Sequence, residues 1–230
     1  MGPKTVFITG CNRGIGYAFA QHYKNEGWNV IASVRNLDAA EKLNALKPWK
    51  VVTLDTSDEN SIHKAAISLK EVPVHLLINN AGILKPGGFM DTTKEDLMRQ
   101  FEVNTVGVFL MTRSFLPNLK LAAEKDGSAV VAQISSRIGS IQDNNSGGYY
   151  GYRASKVAVN MINKSFAHDL KRDNIISVTL HPGFVKTDMT QMKGTITPDE
   201  STAGLVKVLD GIKLQDTGKF LSYKGEVIPW

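Results

Sequence analysis

Two side chains near the start of a helix-period segment could carry out proton transfer. Tyr152 and Lys156 are four residues apart, so a helix would place them on the same face. An ordinary tyrosine, with a pKa of about 10, exchanges protons poorly at neutral pH, whereas a neighbouring ammonium favours the phenolate. The pair therefore indicates an acid–base tyrosine, although a packed tyrosine beside a surface lysine would show the same spacing.

A glycine-rich turn could hold the phosphates of a dinucleotide. The turn runs from Thr9 to Gly16 as Thr-Gly-Cys-Asn-Arg-Gly-Ile-Gly, between a short apolar segment and a helix-period segment. Glycines let the backbone N–H groups at a helix N-terminus approach a pyrophosphate closely. A plain strand-to-helix turn would also use glycine. The residues predicted to bind the cofactor here are Gly10, Asn12, Arg13, Gly14, Ile15 and Gly16.

Basic residues near the end of the second apolar segment distinguish between two cofactors. An acidic residue at this place suits the ribose hydroxyls of NAD, whereas an arginine suits the 2′-phosphate of NADP. Arg35 and Asn36 occupy it, and the next acidic residue is Asp38. With Arg13 as a second cation, this pattern predicts NADP(H). The alternative is that Arg35 is an ordinary surface arginine.

The elements that must position these groups alternate along the chain. Apolar segments rich in Val and Ile predict strands at Thr5–Thr9, Asn29–Ser33, Lys50–Leu54, His75–Asn79, Ala129–Ser135, Ile176–His181 and Lys219–Leu221. Helices are predicted between them at Ile15–Glu26, Leu37–Leu46, Asp58–Leu69, Lys94–Leu119, Tyr150–Lys171 and Pro198–Leu209. This alternation predicts one α/β domain over residues 1–230, a doubly wound parallel sheet of about seven strands with helices on both faces.

Helix ends carry recognisable patterns. Thr92 with Glu95 and Thr197 with Glu200 have the spacing of capping boxes, and Pro198 stands at the first helical position of the second. Pro117 is expected to kink or end the long fourth helix. The polar motifs follow strands, so they are expected at the carboxyl edge of the sheet, where ligands bind in such folds.

The composition argues against a disulfide-stabilised protein and against a membrane-spanning one. The 230 residues are 42% hydrophobic and 21% charged, and the single cysteine, Cys11, cannot form an internal disulfide. A reducing, cytoplasmic setting is therefore expected, and no apolar run is long enough to predict a membrane span.

The net charge is +5, but the distribution of the basic residues argues against nucleic-acid binding, and the spacing of the histidines argues against metal binding. The basic residues are scattered rather than clustered with aromatic residues, so no nucleic-acid partner is predicted. The five histidines and one cysteine show no metal-ligand spacing, so no metal site is predicted.

Several motifs in a fixed order resemble the short-chain dehydrogenase/reductase family over nearly the whole chain. They are Thr9-Gly10-x3-Gly14-Ile15-Gly16, Asp55, Asn79-Asn80-Ala81-Gly82, Asn104, Ser135-Ser136, Tyr152-x3-Lys156 and Pro182-Gly183. The segments Ser-Ser-Arg-Ile-Gly-Ser-Ile, Tyr-Arg-Ala-Ser-Lys and Tyr223 to Trp230 are similar to the sniffer-type carbonyl reductases within that family. The resemblance implies a Rossmann fold and a homodimer.

The resemblance implies a catalytic role for each of four residues. Tyr152 would protonate the substrate carbonyl oxygen as general acid, and Lys156 would hold the nicotinamide ribose and lower the pKa of Tyr152. Ser136 would hydrogen-bond the carbonyl oxygen, and the backbone at Asn104 would bind a water that relays protons to Lys156.

The resemblance also assigns the rest of the cofactor site. Asn80, Ala81 and Gly82 would pass beside the cofactor, with Asn80 bracing the edge of the sheet, while Asp55 and Thr56 would face the adenine. The nicotinamide would be wrapped by Pro182, Gly183, Val185 and Thr187.

Two points depart from the family's usual pattern. Ser136 precedes Tyr152 by 16 residues, more than is common, so the stretch Asp143–Gly148 is interpreted as a small insertion beside the site. Ser135 and Ser136 are adjacent, and alternation along a strand lets only one of them face the ligand. Ser136 is assigned by analogy with the family.

The predicted activity is NADPH-dependent reduction of a hydrophobic ketone, aldehyde or quinone. The pocket walls are expected from apolar and soft side chains, namely Ile138, Gln142, Tyr149, Phe184, Met189 and Met192. Two alternatives remain open. One is an alcohol or steroid dehydrogenase that works in the oxidative direction with the same residues, and the other is a non-catalytic protein that senses NADP.

Overall fold

The computed structural model of the chain describes residues 2–230, and one sheet of seven parallel strands lies at its centre. The strands are β1 Thr5–Ile8, β2 Asn29–Val34, β3 Lys50–Thr53, β4 Leu76–Asn79, β5 Ala129–Ile134, β6 Ile175–His181 and β7 Phe220–Ser222. Their spatial order is β3-β2-β1-β4-β5-β6-β7, so the direction of winding reverses between β1 and β4. The doubly wound parallel sheet predicted from the sequence is confirmed.

Helices cover both faces of the sheet. They are α1 Gly14–Asn25, α2 Glu41–Ala45, α3 Glu59–Ser68, α4 Lys94–Phe101, α5 Gly107–Ser114, α6 Leu116–Asp126, α7 Tyr150–Asp169 and α8 Pro198–Gly211. Side chains alternate across each strand, so Val6 and Ile8 pack on the face that holds α1 and α8, while Phe7 packs on the opposite face. Burial on both faces explains why the strands are apolar throughout.

The fourth helix was predicted as one element, Lys94–Leu119, and this prediction is wrong. A π-helical turn, Glu102–Val106, separates α4 from α5, and a break at Phe115 separates α5 from α6. Pro117 lies in the first turn of α6, where its missing N–H has no helical partner to lose. A new helix therefore begins at Leu116, next to the proline, and continues to Asp126.

Two other local predictions need correction. The box predicted for Thr92 and Glu95 is formed one residue later, by Thr93 and Asp96, whereas the Thr92 hydroxyl donates to the Gly88 carbonyl. The helix predicted at Leu37–Leu46 is limited to α2. By contrast, the box of Thr197 and Glu200 forms as predicted at the start of α8.

None of the helices in residues 2–230 is a candidate for a membrane-spanning segment. Not one of these helices combines the length and the apolar character that crossing a bilayer requires.

Candidate active site

The glycine-rich turn joins β1 to α1 at the carboxyl edge of the sheet. Gly10 has a φ of 71°, a left-handed conformation that side chains rarely adopt. Gly16 lies so close to the loop that a Cβ there would overlap the Gly10 carbonyl oxygen and stand 2.6 Å from Asn80 Nδ2. The first turn of α1 is thereby packed directly on the loop, and no side-chain hydrogen bond caps the N-terminus of this helix.

Thr9 and Asn80 fix this loop to the neighbouring strand. The Asn80 side-chain amide donates to the carbonyls of Thr9, at 2.8 Å, and Gly10, at 3.2 Å. The Thr9 hydroxyl oxygen accepts from the backbone N–H groups of Asn80 and Ala81, each at 2.9 Å. The structure places Asn80 where the bracing role was predicted. It adds Thr9, which the motif contains but to which the sequence assigned no role.

Gly16→Ala is expected to reduce cofactor affinity at least about tenfold, because the added methyl must displace the loop backbone that carries the phosphate-facing N–H groups. Titration of NADPH by fluorescence measures the affinity. Gly211→Ala, at the end of α8 with nothing within 4 Å of its added Cβ, is the matched control. Equal affinities of the two variants would contradict this account of the loop.

The expected 2′-phosphate site lies at the ends of β2 and β3. Arg35 and Asn36 are exposed, and Asn36 Oδ1 accepts from the Asp38 N–H at 2.9 Å. Burial alone would raise the pKa of Asp55, but hydrogen bonds from the backbone and hydroxyl of Ser57 and the charges of Arg35 and Arg99 lower it. Arg35 is thus exposed and able to approach a phosphate, and Asp55 carries a negative charge beside it.

Arg13 has a partner that the sequence did not reveal. Its guanidinium pairs with Asp188 at 2.9 Å, across the gap between the glycine loop and the segment that follows β6. Both side chains are more than 60% exposed. Exposed ion pairs contribute about 0–1 kcal/mol, so Arg13 can exchange this carboxylate for a phosphate at low cost.

Tyr152 and Ser136 form the centre of the candidate site. Tyr152 lies in the first turn of α7 and is buried, and burial raises its pKa to about 12, against the opposing effect of a hydrogen bond with the Ser136 side chain. The adjacent Ser135 points the other way, where its hydroxyl donates to Asn160 at 2.8 Å inside the protein. Alternation at the end of β5 therefore turns Ser136, not Ser135, toward Tyr152.

Lys156 lies one helical turn further along α7 and is also buried. Its ammonium nitrogen donates to the Ile134 carbonyl at 2.7 Å and lies 5.6 Å from the centre of the Tyr152 ring. Burial lowers its pKa to about 8. The lysine is predicted to lower the pKa of Tyr152, but the net shift of the tyrosine in the structure is upward, because burial dominates.

The stability of the protein should rise with pH above about 8 through Lys156. The ordinary pKa of a lysine, 10.5, applies to the unfolded chain, whereas the pKa in the fold is about 8, so between these values the unfolded chain binds more protons. Linkage then makes the unfolding free energy increase by about 3 kcal/mol over this interval. Urea unfolding across this pH range measures it. Lys156→Met should remove the increase, and Lys164→Met, an exposed lysine on the same helix, should keep it.

Asn104 lies inside the π-helical turn. Its side-chain oxygen accepts from the Ile83 N–H at 2.8 Å, and its amide donates to the Ile83 carbonyl at 2.9 Å and to the Ser155 hydroxyl at 3.0 Å. A Cβ on Gly82 would lie 3.2 Å from Asn104 Oδ1 and 3.7 Å from Lys156 Nζ. The structure therefore brings Asn104 beside Lys156, and it adds Ser155, which the sequence did not single out.

The segment after β6 forms the opposite side of the site. Gly183 adopts a φ of 88°, Val185 forms a bridge with Ile196, and the Thr187 methyl lies beside Gly14 of the glycine loop. The side chains expected to line the pocket are largely solvent-facing: Tyr149, Phe184, Met189 and Met192 are all more than 40% exposed. The site is thus open, with apolar groups at its rim.

Two further titratable side chains, His181 and Cys11, lie at this edge of the sheet. Burial, reinforced by the charge of Arg137, lowers the pKa of His181 to about 4, and its Nδ1 accepts from the Arg137 N–H. Cys11 is buried in the glycine loop, and burial raises the pKa of its thiol. Within residues 2–230, no group of three or more His, Cys, Asp and Glu side chains could hold a metal ion.

A comparison with protein families identifies the class of protein. Residues 4–196 match the family described as short chain dehydrogenase. The chain belongs to the short-chain dehydrogenase/reductase family, as its ordered motifs predicted.

Two solved structures and one curated relative show which members of the family the chain is similar to. It is 36% identical to the NADPH-bound carbonyl reductase from chicken fatty liver, with a TM-score of 0.93 and full coverage of both chains. The carbonyl reductase Sniffer of D. melanogaster is 30% identical, also with a TM-score of 0.93, over 99% of this chain and 100% of its own. A 1-hydroxy-2-glutathionyl-2-methyl-3-butene dehydrogenase of Rhodococcus sp. (strain AD45) is 31% identical over 98% of this chain and 99% of its own. The resemblance to the sniffer-type carbonyl reductases is confirmed.

Proposed function

We propose that this chain is an NADPH-dependent carbonyl reductase that transfers hydride to a hydrophobic ketone, aldehyde or quinone. The observation that carries the proposal is the cluster of the buried Tyr152 and Lys156 with the half-buried Ser136, at the carboxyl edge of the sheet and across β4 from the glycine loop. A phenol, a hydroxyl and an ammonium collected at one ligand-binding edge are what polarisation and protonation of a carbonyl oxygen require.

NADP(H) is the cofactor that the site and the comparisons support. No side chain caps the N-terminus of α1, and Arg35 and Arg13 supply positive charge where a 2′-phosphate would lie. Lys156 has three N–H donors, of which one is used by Ile134 within the described chain, so two can bind ribose hydroxyls. The chicken relative, 36% identical, is described with NADPH bound.

The chemistry of this chain's own residues follows from their burial. NADPH supplies the hydride when bound. Ser136 donates a hydrogen bond to the substrate carbonyl oxygen and stabilises the negative charge that develops there. Tyr152 gives its phenolic proton to the same oxygen, and because its pKa is about 12 in the structure, it is fully protonated at neutral pH.

Lys156 assists the proton transfer from Tyr152 by stabilising its deprotonated form. The ammonium, 5.6 Å from the ring centre, stabilises the phenolate that forms after proton transfer, and it does so in a buried setting where charges interact strongly. Asn104 holds Ile83 and Ser155 in place beside this lysine, in a π-helical turn of the kind that is frequent at functional sites. A water held by the backbone at Asn104 would then resupply the proton.

The openness of the site favours hydrophobic carbonyls of varied shape. Apolar side chains at the rim, including Phe184, Met189 and Met192, are exposed and could contact an apolar substrate. The segment Thr190 to Thr197 that could cover the pocket is short, so we do not expect a single large steroid to be enclosed.

Consumption of NADPH, followed by absorbance, tests the proposal against a panel of quinones, dicarbonyls, aldehydes, aromatic ketones and steroids. Turnover with apolar ketones or quinones would support it. Tight NADPH binding with no turnover across the panel would overturn it and favour the sensing alternative.

A second candidate is oxidation of an alcohol by the same residues. The Rhodococcus relative is named as a dehydrogenase, and proton transfer at Tyr152 works in either direction. Comparing initial rates with NADP and an alcohol against NADPH and the matching ketone decides between the two directions.

We also propose that the protein forms a homodimer, is located in the cytoplasm and has no nucleic-acid partner. The outer faces of α4, α5 and α7 carry exposed apolar side chains that a second copy could cover, including Met98, Phe101, Phe109 and Met161. Light scattering on the purified protein measures the mass in solution, and a monomer at micromolar concentration would contradict the dimer.

A further inference from the structure

The guanidinium of Arg153 binds both ends of the chain segment that connects Ser136 to Tyr152. One Nη donates to the Ile138 carbonyl at 2.9 Å, near the start of the segment. Nε donates to the carbonyls of Gly147 and Gly148, at 3.2 and 3.1 Å, and the other Nη donates to the Ser146 hydroxyl at 2.9 Å. A planar fork of five N–H donors is the side chain best suited to such a set of acceptors.

The backbone around the two glycines that Arg153 binds is left-handed. Gly147, Gly148 and Tyr149 are three successive left-handed residues, with φ of 63°, 66° and 52°. Tyr149 carries a side chain, for which this region is disfavoured, so the surrounding contacts must hold it there. The Tyr149 N–H donates to the Gly87 carbonyl at 3.0 Å, and Arg153 holds the two carbonyls just before it.

The position of this segment makes it a wall of the substrate site. The chain leaves the site at Ser136 and returns to it at Tyr152, so the stretch 143–149, which we call the wall segment, borders the place where a carbonyl must lie. It forms no helix or strand, and most of its residues are exposed. At its start, Asp143 forms a partly exposed ion pair with Arg137 at 3.3 Å, and the Asp143 N–H donates to the Ser140 hydroxyl at 3.1 Å.

We propose that Arg153 is a positioning residue that fixes the wall segment and so determines which carbonyl substrates are accepted. The substrate part of this inference rests on the carbonyl reductase function proposed above. Arg153 follows Tyr152 directly on α7. By binding the wall segment, it fixes the position of that segment relative to Tyr152, the proposed general acid. A bulky substrate that contacts the wall should therefore depend on Arg153, whereas a small one should not.

The test compares Arg153→Met and Arg153→Lys with Arg172→Met, which removes an exposed arginine beyond the far end of α7. The full-length proteins are loaded with NADPH, and hydrogen exchange of the amides in residues 144–149 is measured. In both Arg153 variants we expect exchange there to be at least about tenfold faster, since lysine cannot reproduce the fork.

Steady-state kinetics provide the second readout. With Arg153→Met, KM for a bulky aromatic ketone should rise about tenfold, while kcat, the Kd of NADPH and KM for a small dicarbonyl stay within about twofold. A general loss of folding would change all four quantities together. The Arg172→Met protein should match the wild type in every measurement.

Two results would overturn the inference. One is unchanged exchange of the wall segment in Arg153→Met, and the other is an equal rise of KM for the bulky and the small substrate. If the wild-type protein binds NADPH but reduces no carbonyl, the proposed function fails and the substrate part of the inference fails with it. Exchange still decides whether Arg153 holds the segment.

Discussion

Replacement of Tyr152 by phenylalanine should lower kcat for carbonyl reduction on the order of 10³-fold, the scale of a lost general acid. The substitution removes the phenolic proton of the buried Tyr152 beside Ser136, and it keeps the ring that packs there. The Kd of NADPH should stay within about threefold, because the ring and Lys156 remain to hold the cofactor site in shape. Single-turnover mixing with saturating NADPH measures the chemical step directly.

Tyr150→Phe is the matched control for this prediction. Tyr150 stands two residues earlier on α7, is 42% exposed and faces the Phe89 ring, so its hydroxyl lies outside the cluster of Tyr152, Lys156 and Ser136. The control should turn over at the wild-type rate. A Tyr152→Phe protein that keeps more than about a tenth of wild-type kcat would show that another group donates the proton.

Replacement of Arg35 by aspartate should reverse the preference between the two nicotinamide cofactors. The KM for NADPH should rise on the order of 100-fold, since a charge-assisted hydrogen bond to the 2′-phosphate is lost and a like charge is placed beside it. The KM for NADH should fall or stay unchanged, because aspartate can accept from the ribose hydroxyls. Steady-state kinetics with each cofactor at saturating ketone measures both.

Arg172→Asp makes the same change of charge on the surface away from the carboxyl edge and controls for the net charge of the protein. It should leave both KM values unchanged. The assignment of Arg35 is contradicted if the wild-type protein uses NADH as well as NADPH, or if Arg35→Asp leaves the KM for NADPH unaltered. In either case the arginine would be an ordinary surface residue.

The sheet and the glycine loop could be predicted from the sequence because their causes are local. The apolar runs that become β1 and β4 are buried on both faces, and burial on both faces is visible as a run of Val, Leu and Ile. The glycines of the loop are required by backbone geometry at their own positions. The capping box of Thr197 and Glu200 is likewise a contact between residues three apart.

The features that could not be predicted depend on residues distant in the sequence. Arg13 and Asp188 meet because the segment after β6 folds back over the glycine loop, and no local pattern encodes this contact. Asn104, in the π-helical turn, contacts Ile83 and Ser155, which lie 21 and 51 positions away in the sequence. The upward shift of the pKa of Tyr152 follows from burial, which becomes known only once the fold is complete.

The most direct test of the central claim uses NADPH that carries deuterium at the transferred position of its nicotinamide. The purified enzyme is incubated with this cofactor and an aromatic ketone or quinone, and the product is analysed by mass spectrometry. We predict that an aromatic ketone yields an alcohol with deuterium on its carbinol carbon, and that Tyr152→Phe forms it on the order of 10³-fold more slowly. An alcohol without deuterium, or no product while NADPH stays bound, would contradict hydride transfer to a carbonyl at this site.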